Sequence, residues 1–102
     1  YFQAGHLAID FNTRTVTVDG REVKLTATEY ALLKALAQHA GKVVTHKQLL
    51  REVWGPNAEN QSQYLRVYVT HLRKKIEIPG APEKLLKTES GIGYRLILPA
   101  QK

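Results

Sequence analysis

The residues with the most chemistry to offer lie between Asn60 and Ile76. This stretch carries four bases, Arg66, Arg73, Lys74 and Lys75, and no acid. Wound as a helix, it places Leu65, Val69, Leu72 and Ile76 at i, i+4, i+7 and i+11, one buried stripe. The same rotation puts Gln63, Val67, Thr70, His71 and Lys74 on the opposite face, with Arg66 and Arg73 flanking it. An acid-free face of cationic and hydrogen-bonding groups suits contact with a polyanion, and its narrow helical form suits a DNA groove. A surface helix whose bases are merely solvated has the same composition, so charge alone does not decide. A protein-interaction module is the second reading, since a fold does not fix its partner. Small polar residues on the outer face favour DNA over a protein. RNA would call for exposed aromatics to stack on unpaired bases; only Tyr64 and Tyr68 fall on this helix.

The rest of the charge is placed to match. Residues 1–41 carry four bases and four acids, whereas residues 42–95 carry ten bases and five acids, out of a formal net charge of +6. Catalytic chemistry finds no comparable constellation. His6, His39, His46 and His71 show no metal-ligand spacing, and no two stand i, i+4 on one helix. Gly91-Ile92-Gly93 lacks the third glycine of a dinucleotide fingerprint, and Ser90-Gly91 lacks the Gly-x that precedes a nucleophile elbow. The sequence therefore points to no enzyme, no metal and no cofactor. There is no cysteine, hence no disulfide and no thiolate metal site. No apolar run approaches the roughly 20 residues of a membrane span, so a soluble chain without a membrane partner is expected.

Several elements must position that helix. Leu7–Phe11, Thr15–Val18 and Glu22–Leu25 alternate as strands, and Asp19-Gly20 between the last two is a two-residue hairpin signal. Thr26-Ala27-Thr28-Glu29 reads as a capping box with Leu25 and Tyr30 as its hydrophobic staple, opening a helix that ends near Ala40 with Gly41 as its cap. Thr45-His46-Lys47-Gln48 reads as a second capping box, stapled by Val44 and Leu49, for a helix that Gly55-Pro56 breaks. The third helix starts between Asn60 and Ser62 and runs to about Glu77. Leu85–Thr88 and Gly93–Leu98 then form a hairpin. Residues 1–5 look like the end of a protease-cleavable expression tag and are set outside the fold. The expected domain is 6–99, with 100–102 a tail.

These residues resemble a known family. Leu25-Thr26-x-Thr28-Glu29-Tyr30-x-Leu32-Leu33, Gln48-Leu49-Leu50-x-x-Val53-Trp54-Gly55, Leu72-Arg73-Lys74-Lys75-Ile76-Glu77 and Gly91-x-Gly93-Tyr94-Arg95 stand in the order and spacing of the DNA-binding domain of OmpR/PhoB-type response regulators. The likeness spans roughly residues 7–98. It implies an α+β winged helix-turn-helix: N-terminal antiparallel sheet, three helices and a C-terminal β-hairpin wing.

It also implies roles. The third helix would enter the major groove. Gln63 would pair with adenine, Arg66 with guanine, and Val67 and the Thr70 methyl would meet a thymine methyl; His71 stands where the family often has arginine. Thr45, His46 and Lys47 at the second helix N-terminus would meet phosphate, as would Trp54, Tyr64, Arg73, Lys74, Lys87 and Tyr94. Trp54 also has a packing role open to it. In the wing, Ser90 precedes Gly91 where some relatives insert an arginine into the minor groove, so weak minor-groove readout is expected. Glu89 beside it has no assigned partner. Gly55, Pro56, Asn57, Ala58, Glu59 and Asn60 occupy the position of a loop that faces RNA polymerase. The resemblance further implies a receiver domain elsewhere in the full-length protein and a bacterial, cytoplasmic, nucleoid-associated setting. The domain would be a monomer when free and would bind directly repeated half-sites as a head-to-tail dimer.

Overall fold

The computed structural model describes residues 1–57, 62–80 and 84–98. Strands β1 (Phe2–Ala4), β2 (Leu7–Asp10), β3 (Thr15–Val18) and β4 (Arg21–Val23) form an antiparallel sheet in chain order. Asp19 and Gly20 both take positive φ, 53° and 81°, and Val18 pairs with Arg21, so the Asp-Gly turn forms where the sequence puts it. Helix α1 (Ala27–Gln38) follows, then β5 (Val43–Thr45), α2 (His46–Trp54), α3 (Ser62–Ile76) and the wing strands β6 (Leu86–Glu89) and β7 (Gly93–Leu96). This is the α+β winged helix expected.

Three features differ from the sequence reading. Residues set aside as a tag remnant contribute β1, whose Phe2 pairs with Ile9 and whose Ala4 is buried. Their apolar groups belong to the sheet whatever their origin. The turn between the first two helices contains β5, which joins the wing as a third strand in the order β5-β7-β6. The α1 exit is also tighter than expected. His39 caps the helix, and Gly41, at φ 84°, sends its amide to the Leu96 carbonyl.

Helix α1 sits at the centre, with seven of its twelve residues buried. Leu7, Ile9 and Val16 cover it from the first sheet, Leu49 and Leu50 from α2, and Leu65, Val69, Leu72 and Ile76 from α3. Leu86, Tyr94 and Leu96 close the core from the wing. Among the described residues no helix is long and apolar enough to cross a membrane.

Candidate nucleic-acid interface

Helix α3 is divided cleanly into two faces. Leu65, Val69, Leu72 and Ile76 are at most 1% exposed. Gln63, Arg66, Val67, Thr70, His71 and Lys74 are all exposed, and so is Tyr64. The 3.6-residue period that selects the buried stripe thereby selects the displayed one. Thr70 donates its hydroxyl to the Arg66 carbonyl at 2.9 Å, which leaves its methyl as the group free for apolar contact.

Polar tethers fix this helix on the scaffold, most of them at its C-terminal half. Lys75 ion-pairs with Glu29 at 2.6 Å and reaches the Lys24 carbonyl at 3.3 Å. Glu29 is at once the capping-box acid of α1: its carboxylate accepts from the Thr26 amide, and its own amide donates to the Thr26 hydroxyl. Burial pushes the Glu29 carboxyl up, but the Lys75 hydrogen bond, the Thr26 amide and the Lys75 charge outweigh it and hold it below its ordinary value. His6 hydrogen-bonds the Ile76 carbonyl through Nε2 at 2.8 Å, satisfying an end group that the helix itself cannot. Glu77 accepts from the Leu85 and Leu86 amides at 2.9–3.2 Å and so anchors the start of the wing. Towards the N-terminal half, Trp54 packs on Tyr68 with ring centroids 5.4 Å apart, the packing role open to it.

Arg73 turns inward. Its Nε donates to the Leu86 carbonyl at 3.2 Å and its guanidinium also binds the Thr88 hydroxyl, so it ties α3 to β6. Tyr94 is likewise drawn in: at 5% exposure it belongs to the core, because alternation on β7 turns it inward with Leu96. Its ring meets His46 edge-on at 5.4 Å.

The N-terminus of α2 is partly spoken for. The His46 amide donates to the Ile92 carbonyl in the wing turn, and the Gln48 amide to the Thr45 hydroxyl. The second capping box is half formed, since the Gln48 side chain hydrogen-bonds His39 at 3.3 Å. Thr45 and Lys47 remain exposed, and His46 is half-buried. The wing reaches this close because residue 93 is glycine. A Cβ there would stand 1.9 Å from the Val44 carbonyl oxygen.

Lys87, Ser90, Gly91 and Ile92 are exposed around the wing turn. Glu89 finds its partner in Arg95, 2.7 Å away across the hairpin, so its charge is neutralised within the wing. In the loop after α2, Pro56 and Asn57 are exposed and Gly55 takes φ 108°, while Ala58, Glu59 and Asn60 lie outside the described residues. Sequence reasoning missed the tethering roles of His6, Lys75 and Glu77. The one local signal was Lys75, a charge at the edge of the buried stripe. No group of three metal-ligating side chains exists among the described residues.

Residues 20–96 match the family described as "Transcriptional regulatory protein, C terminal". The chain belongs to that family. Segments 53–58, 64–66 and 88–95 resemble KdpE. KdpE of Escherichia coli K12 is 47% identical over 92 residues, 90% of this chain and 41% of that protein. KdpE of Mycobacterium tuberculosis is 47% identical over 87 residues, 85% of this chain and 38% of that protein. The chain thus spans about two-fifths of these transcriptional regulators. Among solved structures, the DNA-binding domain of CpxR from E. coli superposes with a TM-score of 0.84 at 29% identity, covering 97% of both chains. The Klebsiella pneumoniae RstA DNA-binding domain, solved in complex with the RstA box, gives 0.83 at 28% identity, covering 96% of this chain and 97% of that one.

Proposed function

We propose that this domain binds duplex DNA sequence-specifically as the output domain of a response regulator. The observation that carries the reading is the outer face of α3: six exposed polar, cationic or small apolar side chains without an acid, on a helix tethered at several points behind them. A helix that reads bases must keep its register while the groove presses on it, and those tethers hold it. That the similar RstA domain was solved in complex with the RstA box supports this reading.

On duplex DNA α3 would lie in the major groove, as the second helix of a helix-turn-helix does. Gln63 meets adenine N6/N7, Arg66 forks onto guanine O6/N7, and Val67 and the Thr70 methyl meet a thymine methyl, with His71 beside them. Lys74, Tyr64, Trp54 and Lys87, with Thr45, His46 and Lys47, face phosphates and set register. Arg73 and Tyr94 act behind this surface as supports. Ser90 and Gly91 carry the wing turn over the backbone without an inserted arginine.

For the wider protein the reading rests on the resemblance to response regulators, whose KdpE members extend well beyond this domain. A receiver domain in the same chain controls a head-to-tail pair on directly repeated half-sites, the isolated domain being monomeric. The Gly55–Asn60 loop faces RNA polymerase, and the protein works in the bacterial cytoplasm at the nucleoid.

Fluorescence anisotropy of random-sequence duplex against single-stranded RNA, from about 50 to 200 mM salt, tests the class. A handful of phosphate contacts lowers duplex affinity by orders of magnitude over that range. Equal binding of duplex and RNA, or none at the lowest salt, would reject duplex recognition and favour a protein partner.

A further inference from the structure

Beside the C-terminal half of α3 runs a groove of about 610 Å³ that the sequence did not foreshadow. Thr70 and Lys74 line it from the helix, Pro79 from the turn beyond, and Lys84 and Leu86 from the approach to and start of β6. Two further charged residues line it, and both are committed elsewhere. Glu77 has its oxygens on the Leu85 and Leu86 amides, and Arg73 is bound to Leu86 and Thr88. That leaves Lys74 and Lys84, both exposed, as the charges available to a partner. Among the described residues neither forms an ion pair. Thr70 and Lys74 also belong to the displayed face of α3, so the groove continues that surface.

Ammonium groups beside a largely apolar wall suit a sugar-phosphate strand. A DNA strand alternates an anion with a largely apolar deoxyribose edge, and a duplex whose major groove holds α3 brings such a strand alongside the helix. We propose that Lys84, together with Lys74, seats one DNA backbone strand in this groove. The assignment rests on the duplex-binding reading above and adds a contact from outside the recognition helix, the wing turn and the α2 N-terminus.

The test is a salt titration of duplex binding by the wild-type chain, Lys84→Gln and Lys34→Gln. Lys34 is an exposed cation on α1, and it serves as the control. Lys84→Gln is expected to weaken cognate and random duplexes alike, roughly tenfold near 50 mM salt, and to lower the salt slope by about one unit. Lys34→Gln is expected to leave the slope unchanged. A wild-type slope retained by Lys84→Gln would overturn the assignment while sparing the DNA reading, and would open the groove to an acidic peptide partner. Failure of the wild-type chain to bind duplex would overturn both.

Discussion

Glu29 illustrates how one side chain serves two elements. It caps α1 and, through Lys75, fixes the end of α3. Its folded carboxyl sits below the ordinary value of 4.5, so the unfolded state binds its proton more readily. The stabilisation is therefore present above the ordinary carboxylate range and is lost as pH falls through the lower folded value. Glu29→Gln should melt earlier than wild type at pH 7, with the difference shrinking towards pH 3; parallel thermal melts at the two pH values check this. A gap of constant size would mean the charge contributes nothing. Leu72→Ala, at a fully buried position, should cost roughly 2–5 kcal/mol in a denaturant melt. At this scale the sequence was most informative about the outer face of α3, because helical period decides it. It did not foresee the inward packing of Arg73 and Tyr94. An arginine on a helix flank looks exposed until the strand it binds is known, and β6 lies more than ten residues away; Tyr94 turns inward with Leu96 on β7.

The elements themselves were legible where local chemistry is strong. The Asp19-Gly20 turn, the Thr26 capping box and the Gly55 break each formed where the residues put them. Strand β5 was not legible: three residues between two helices carry no period, and their pairing with β7 depends on residues some fifty positions later. Strand β1 was hidden for another reason, since a tag-like terminal sequence and a short edge strand read alike. Gly93 makes the close β5–β7 contact possible. Gly93→Ala should destabilise the fold by roughly 1–3 kcal/mol or more, because the added methyl meets backbone that cannot step aside. Urea unfolding measures this, and wild-type stability in the variant would mean the wing stands further from β5.

For the whole molecule, charge asymmetry and tethering point the same way. The N-terminal 41 residues are neutral, whereas the half that holds α2, α3 and the wing carries the positive excess. The first sheet acts as a support: His6 in its β1–β2 turn reaches the last carbonyl of α3, and Arg14 lies over the Tyr30 ring at 4.5 Å. A molecule built in this way presents one cationic face, on which α3 is proposed to read sequence. The direct test is site selection from a random duplex library, run in parallel with the wild-type chain and Arg66→Ala. Wild type is expected to enrich a motif and the variant to lose preference for guanine at one position, with about 1–3 kcal/mol lost on the wild-type site. An identical motif from both proteins, with affinity lost equally on selected and random DNA, would contradict base reading by Arg66 and leave it a phosphate contact.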